Sequence, residues 1–276
     1  MGLTFNKIEQ MQSMGLHGAG KGRILDVGSS NLYQATTDGV IRFLTLNGVK
    51  ITPDTEKFAS RIANGSTYNP QTGGTNESFA GELYEKAGFK YDAIDIADGY
   101  RTTILDLNHQ SAPKSFVGAF DLVINYGTTE HLLNQYNAFK VLHDCTKVGG
   151  YIVHSLPCTG YSNHGYITYT PRCMFDLAGY NEYEVIDFQF EGPGQLNDLY
   201  APLKDYSTYF PRLLQTFNDR DGTNIGKAIA QLQLPDIALF IVYRKVKNKP
   251  FAGALEMTTS VGKVPQSVSK NYQTTE

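Results

Sequence analysis

The sequence predicts a doubly wound α/β domain built on a mostly parallel sheet. Seven short apolar or alternating runs predict strands, and several of them are apolar throughout, as in strands covered on both faces. Helical patterns separate most of these runs, and strands that alternate with helices form parallel sheets through right-handed crossovers. Glycines or acidic residues stand where several of the runs end, which is where α/β sheets bind their ligands.

The predicted strands follow one another along most of the chain. They cover residues 23–27, 91–96, 103–107, 120–125, 151–156, 184–190 and 237–246. The first ends at Gly28 and the fifth is stopped by Pro157. The last two strands lack a helical crossover between them, so we expect one of them to run antiparallel to the others.

The predicted helices cover residues 55–63, 77–87, 134–147 and 171–178. In the second of these, Phe79, Leu83 and Ala87 recur every four positions before Gly88 stops the helix. The last begins with Pro171, a residue favoured in the first turn of a helix. A further helix is expected directly after the turn at Gly28.

The chain divides into three parts in this interpretation. Residues 1–22 form an N-terminal lead, residues 23–246 form the main domain, and residues 247–276 form a peripheral tail. Two segments exceed what the sheet requires, residues 38–76 and residues 192–235. The second is rich in aromatic residues and is long enough to fold over the edge of the sheet as a lid.

Composition disfavours several classes of function. A formal net charge of −3 gives no basic footprint for a long nucleic-acid backbone. The three cysteines form no C-x-x-C pair, so neither a disulfide framework nor a zinc knuckle is indicated. No apolar run suits a membrane span or a signal peptide. We therefore expect a cytoplasmic protein with no membrane partner, and the oligomeric state stays open.

The turn after the first strand is the leading candidate for a ligand site. It comprises Asp26, Val27, Gly28, Ser29, Ser30 and Asn31. Gly28 lets backbone approach a ligand closely, and Asp26 offers an acceptor for a cation or a cap for the next helix. A dinucleotide-binding turn would read G-x-G-x-x-G, but Ser30 and Tyr33 stand at its second and third glycine positions.

Acidic residues also end the second and third predicted strands. Asp95, followed by Ile96, can accept both hydroxyls of a ribose, with two neighbouring aspartates as alternatives. The gap between the turn and Asp95 exceeds the usual spacing of about 20 residues, and we attribute the excess to residues 38–76. Asp106, followed by Leu107, can accept from an adenine amino group or simply form a turn.

The ordered set of segments resembles the class I S-adenosylmethionine-dependent methyltransferases over residues 20–190. The matching pieces are Ile24-Leu25-Asp26-Val27-Gly28, Asp95, Asp106-Leu107, Phe120-Asp121-Leu122-Val123, Glu130-His131-Leu132 and Val148-Gly149-Gly150-Tyr151. The resemblance implies a seven-stranded Rossmann-like sheet with helices on both faces and S-adenosyl-L-methionine as the cofactor. The turn departs from the family pattern, because Gly28 is followed by residues other than glycine.

The resemblance also implies which residues contact each part of the cofactor. Residues 26–31 would lie at the methionine end. Asp95 and Ile96 would contact the ribose. Asp106 and Leu107 would contact the adenine, and Asn125 and Tyr126 would lie near the sulfonium.

Candidate catalytic residues follow the fourth and fifth strands. Glu130 and His131 come after the fourth, and Asn163 and His164 come after the fifth, at the same edge of the sheet. Imidazole titrates near neutral pH, so His131 or His164 is a candidate general base. The alternative for Glu130 and His131 is that they open a helix, where the Glu130 carboxylate interacts favourably with the helix dipole. The alternative for His164 is an ordinary loop histidine. No metal is indicated, since no H-x-x-x-H occurs and the acids are assigned to the cofactor.

The expected reaction is methyl transfer to the oxygen or nitrogen of a small-molecule acceptor by in-line displacement. Such a reaction mainly requires two reactants that are held close and aligned. A dinucleotide-dependent oxidoreductase or sugar-nucleotide enzyme is the alternative, and the broken glycine pattern disfavours it. A non-catalytic protein with the same fold is a second alternative, because a fold by itself does not establish an activity.

Overall fold

The computed structural model describes residues 2–17, 21–67, 77–161, 164–192 and 236–253. Predictions for Asn163, for the excess segment beyond Gly192 and for the tail after residue 253 lie outside these ranges. No helix within the described ranges has the length and apolar character needed to cross a membrane.

The structure has nine strands and six α-helices in its described ranges. The strands are β1 Gly2–Thr4, β2 Arg23–Val27, β3 Asn31–Tyr33, β4 Lys90–Asp95, β5 Thr102–Ile104, β6 Phe120–Tyr126, β7 Thr146–Thr159, β8 Glu184–Glu191 and β9 Ile237–Arg244. The helices are α1 Phe5–Ser13, α2 Thr37–Leu46, α3 Pro53–Gly65, α4 Ala80–Lys86, α5 Gln135–Cys145 and α6 Pro171–Tyr180, with a short 3-10 helix at Thr129–His131.

All seven predicted strands are present and form one sheet, in the order β5-β4-β2-β6-β7-β9-β8. The pairs formed by β2, β4, β5, β6 and β7 are parallel, whereas β9 runs antiparallel to β7 and to β8. The expectation that one of the last two strands runs antiparallel is therefore confirmed. The bounds differ in places, since β5 ends at Ile104 and β7 begins at Thr146.

Helices cover both faces of the sheet, which confirms the doubly wound architecture. Successive residues of β2 point to opposite faces, because side chains alternate along a strand. Ile24 packs in a core that includes residues of α1 to α4, and Leu25 packs in a second core that includes residues of α5 and α6. Leu122 and Val123 of β6 divide between the same two cores.

The helix expected directly after Gly28 is absent, and that prediction is wrong. The chain instead forms β3, which pairs in parallel with β1 and places Leu32 opposite Leu3. Both leucines are fully buried. The backbone of Ser29 (φ 40°) and of Gln34 (φ 60°) lies in the left-handed region, which a right-handed helix cannot accommodate. Burial of β3 against the N-terminal strand thus overrides the local helical signal.

The first helix after the turn is α2, which lies within the segment expected to be an insertion. Thr36 caps it, and its hydroxyl oxygen accepts from the Gly39 amide at 3.0 Å. The predicted helix at residues 55–63 is present as α3. Residues 38–67 therefore supply helices that cover one face of the sheet.

The N-terminal residues belong to the same core as the sheet. Leu3, Ile8, Met11 and Leu16 are all fully or almost fully buried and pack against residues of β2 and α2. The start of the tail also packs on the domain, where Phe251 contacts the ring of Tyr136.

Candidate functional site

The carboxyl edge of the sheet contains a topological switch point between β2 and β6. The chain passes from β2 outward to β4 and β5, and then returns to β6 and continues the other way to β7. Val27 at the end of β2 lies opposite Asn125 of β6. The Thr128 hydroxyl donates to the Val27 carbonyl and ties the two strand ends together. Ligands of open α/β sheets bind in the crevice at such a point.

Asp26 holds the shape of the turn that follows β2. One of its carboxylate oxygens accepts from the Ser30 amide at 2.8 Å and from the Tyr91 hydroxyl at 2.7 Å, and the other accepts from the Ser30 hydroxyl at 3.1 Å. Burial raises the pKa of Asp26, while these hydrogen bonds oppose the shift. The Asp26 side chain is only 1% exposed, so its carboxylate is directed at the turn that it holds.

Backbone geometry makes the turn compact. Gly28 has a φ of 118°, in the region that favours glycine, and its amide donates to the Ile94 carbonyl at 2.8 Å. Gly99 approaches from the loop after β4, and a Cβ there would come within 2.3 Å of the Ser29 hydroxyl oxygen. That hydroxyl is buried and has no hydrogen-bond partner among the described residues. An unpaired polar atom at this position fits a polar group of a ligand.

The remaining turn residues contribute mainly backbone. The Val27 side chain packs in the core, and the Ser30 side chain is engaged with Asp26. Asn31 begins β3 and pairs with Gly2 of β1. The predicted ligand contacts of these three residues would therefore come from their main chain or from the shape that they give to the turn.

Asp95 and Ile96, which are predicted to contact the ribose, lie at the protein surface beside the turn. Asp95 is half-buried, and one of its oxygens accepts from the Ala97 amide at 3.1 Å. Ile96 is 72% exposed, which is unusual for so large an apolar side chain. Asp106 uses one oxygen to accept from the Asn108 amide at 2.8 Å, as in a turn, and Leu107 packs in the core.

Asn125 points into the protein, whereas Tyr126 reaches a cavity. The Asn125 amide nitrogen donates to the Thr129 hydroxyl oxygen at 2.9 Å and to Nδ1 of His154 at 3.0 Å. Burial lowers the pKa of His154 to about 3, so its ring is neutral and can accept. Tyr169 donates to the same Thr129 oxygen at 3.1 Å. This buried network holds the 3-10 helix that carries Glu130 and His131.

Glu130, His131 and His164 meet at the end of β6 and are called here the Glu-His-His cluster. Nε2 of His164 lies 3.6 Å from Oε1 of Glu130, and the two imidazole centroids are 5.0 Å apart. The amides of Tyr166 and Ile167 donate to the Glu130 carbonyl at 2.8 and 3.1 Å. These bonds fasten the loop that carries His164 to the 3-10 helix. Asn163 lies outside the described residues.

The Glu130 carboxyl group is buried. It is 1% exposed, and its Oε2 has no hydrogen-bond partner among the residues that the structure describes. Burial raises the pKa of Glu130 to about 7. Burial, together with repulsion from His164, lowers the pKa of His131. The cluster therefore combines two imidazoles with a buried carboxyl group whose pKa lies near neutral pH.

A cavity of about 730 Å³ opens beside this cluster. Tyr126 and Glu130 line it from the end of β6, and Ser155 and His164 line it from β7 and the loop that follows. This volume lies within the range of about 300–1,000 Å³ that small-molecule sites occupy. The cavity lies at the carboxyl ends of β6 and β7, the edge at which β2 ends in the glycine turn.

The sheet topology identifies the fold. One antiparallel strand, β9, lies between β7 and β8, and helices cover both faces of an otherwise parallel sheet. The fold is that of the class I methyltransferases.

Solved structures with this methyltransferase fold are similar to the chain at low identity. An S-adenosylmethionine-dependent methyltransferase from Archaeoglobus fulgidus is 13% identical over 87% of this chain and 94% of its own, with a TM-score of 0.43. A putative methyltransferase from Bacillus halodurans is 12% identical over 88% and 99%, with a TM-score of 0.42. The 1,6-didemethyltoxoflavin-N1-methyltransferase of Burkholderia thailandensis is 10% identical over 87% and 76%, with a TM-score of 0.41.

No protein-family model and no curated protein matches the sequence.

One part of the cavity wall was not predicted from the sequence. Lys7 of α1 and Glu191 of β8 form an ion pair there, and the Lys7 ammonium also lies 4.7 Å from the centroid of the Phe240 ring. The only sequence signal was the amphipathic pattern of residues 5–11, which by itself does not say which face of the sheet the helix covers.

Proposed function

We propose that the protein is an S-adenosylmethionine-dependent methyltransferase that acts on the oxygen or nitrogen of a small-molecule acceptor. The observation that carries this proposal is the position of the cavity. It opens at the carboxyl ends of β6 and β7, on the same sheet edge as the turn at Gly28. Cofactor and acceptor can then meet at the switch point, where Tyr126 at the end of β6 lines the cavity.

The turn lacks the features that bind the pyrophosphate of a dinucleotide. A pyrophosphate is bound by free amides at the start of a helix. Here the turn leads into β3, and the Ser30 amide is already bonded to the Asp26 carboxylate. The Ser29 hydroxyl, Asp95 and Ile96 remain available to hold the amino-acid and nucleoside parts. When bound, S-adenosylmethionine supplies the activated methyl group.

The Glu-His-His cluster is proposed to act on the acceptor. Glu130 and His164 line the cavity, and His131 lies against His164. They can contact the acceptor oxygen or nitrogen, align it for in-line displacement and take its proton. The Lys7–Glu191 ion pair also lines the cavity and supplies charged groups of both signs for polar parts of the acceptor.

Binding of S-adenosylhomocysteine and not of NAD is the first expected result. Titration calorimetry with the full chain would measure both ligands under the same conditions. The turn offers neither a helix start nor a free Ser30 amide to hold the pyrophosphate of NAD. NAD should therefore produce no heat of binding. Tight NAD binding with no response to S-adenosylhomocysteine would overturn the proposed function.

Asp95→Ala is expected to weaken S-adenosylhomocysteine binding by about 1–3 kcal/mol, the scale for a charged hydrogen-bond partner. The fold should persist, because Asp95 is half-buried at a strand end and its side chain accepts one hydrogen bond within the described ranges, from the nearby Ala97 amide. Asp98→Ala is the comparison variant, since Asp98 is exposed and accepts from its neighbour Gly99. Unchanged affinity in Asp95→Ala with a loss in Asp98→Ala would assign the ribose to Asp98 instead.

A further inference from the structure

The Glu-His-His cluster brings three metal-ligating side chains together. One carboxylate oxygen of Glu130 and one ring nitrogen each of His131 and His164 all lie within 4.8 Å of one another. We propose that these three side chains form a binding site for a divalent first-row transition-metal ion, with Zn²⁺ as its representative.

The donor set suits such an ion. Two imidazoles and one carboxylate bind zinc in sites that keep a further position open for water or substrate. Imidazole nitrogens and carboxylate oxygens bind Zn²⁺ at about 2.0–2.2 Å, so donors around one ion lie roughly 3–4 Å apart. The separation of 3.6 Å between Glu130 and His164 already meets this requirement. The His164 side chain is 50% exposed and can rotate to close the remaining gap.

Glu130 presents the strongest reason for a cation at this place. Its carboxyl group is buried, and one of its oxygens has no hydrogen-bond partner in the described part of the chain. Leaving a buried polar atom unpaired costs free energy, and leaving a buried charge unpaired costs more. A metal ion between Glu130 and the two histidines would compensate the carboxylate charge, and an ion held by both carboxylate oxygens would also satisfy this one.

The backbone around the cluster holds the ligands in place. The Tyr166 and Ile167 amides bond to the Glu130 carbonyl, so the loop bearing His164 is attached to the helix bearing the other two ligands. Gly165 permits this approach, because a Cβ there would lie 2.9 Å from Cγ of Glu130. The hydrogen bonds from Asn125 to Thr129 and His154 support the same helix. Supporting contacts of this kind orient metal ligands.

The ligands come from two segments that are distant in the chain, so a search for H-x-x-x-H spacing does not detect them. Glu130 and His164 line the cavity, and an ion at the cluster would therefore present its open positions to the acceptor. This role toward the acceptor rests on the proposed function. The binding of the ion does not, because the three side chains alone would hold it.

The test is Zn²⁺ binding by the full chain after treatment with a chelator. Calorimetry is expected to show one ion per chain, and His131→Ala and His164→Ala are each expected to lower the affinity at least 10-fold. His109→Ala is the matched control, since His109 is an exposed histidine 3.9 Å from Asp106 and should leave the affinity unchanged. Absence of binding, or equal affinity in all four proteins, would overturn the proposal.

Two further measurements sharpen this test. Co²⁺ should give visible absorption bands in the wild-type chain that are weakened in both cluster variants and retained in His109→Ala. Titration of the same proteins with S-adenosylhomocysteine separates the two proposals. Zn²⁺ binding without S-adenosylhomocysteine binding would uphold the metal site and overturn the methyltransferase. The converse result would uphold the methyltransferase and overturn the metal site.

Discussion

Asp26→Ala is expected to lower the free energy of unfolding by about 3 kcal/mol or more and to abolish cofactor binding. The substitution leaves the Ser30 amide, the Ser30 hydroxyl and the Tyr91 hydroxyl without their acceptor in a buried place. Each donor that is left unpaired in the interior costs about 1–3 kcal/mol. Without these bonds, the turn at Gly28 also loses the shape that a ligand requires. Chemical denaturation and calorimetry would measure the two effects.

Asp26→Asn distinguishes the bonding from the charge. An asparagine amide oxygen can accept from the Ser30 amide and from Tyr91, while its nitrogen donates to the Ser30 hydroxyl. Most of the stability should therefore return. Asp92→Ala is the control, because Asp92 lies beside Leu25 on the neighbouring strand and forms a part-exposed ion pair with Arg23, a kind worth about 0–1 kcal/mol. Equal stability of Asp26→Ala and Asp92→Ala would contradict this account of the turn.

His164→Ala is expected to lower turnover roughly 100-fold, the lower end of what general acid–base groups contribute, while cofactor affinity stays nearly constant. His164 lies on the cavity side of the switch point and touches Glu130 and His131, not the glycine turn. Release of S-adenosylhomocysteine, measured with an acceptor selected from a panel of small hydroxyl and amine compounds, would give the turnover. Calorimetry would give the affinity.

His131→Ala should show the same pattern, because His131 contacts the same imidazole. His109→Ala serves as the control, since that histidine is exposed and outside the cavity lining. Full turnover in both cluster variants would place the acceptor elsewhere. A parallel loss of cofactor affinity would instead mean that the cluster supports the cofactor and not the acceptor.

Much of the sheet could be predicted, because its strands carry a strong local signal. Residues 23–27 are apolar apart from Arg23 and Asp26, and they form β2 with the predicted bounds. One antiparallel strand among the last two was also expected, since no helical crossover joins them, and the structure shows that it is β9. The helix expected after Gly28 was wrong, because β3 gains more from burying Leu32 against Leu3 than the segment gains from local helix formation.

Individual residues of the candidate site could be named from the sequence, but the contacts between them could not. Asp26 was singled out as the acid of the turn, but whether a strand-end carboxylate points to a ligand or into the core depends on its neighbours. Tyr91 and Ser30 provide hydrogen bonds that turn it inward. Lys7 was not singled out, because its place in the cavity wall depends on how α1 packs across the sheet end.

The order of the strands along the chain and the burial of most of them follow from the sequence, since apolar runs with glycine or acidic ends are local properties. The meeting of Glu130 with His164 is a property of the tertiary structure. It arises because β6 and β7 pair side by side and in parallel, which brings the segments after them to the same edge of the sheet. Gly165 then lets the second segment bond to the Glu130 carbonyl, a contact that no local pattern encodes.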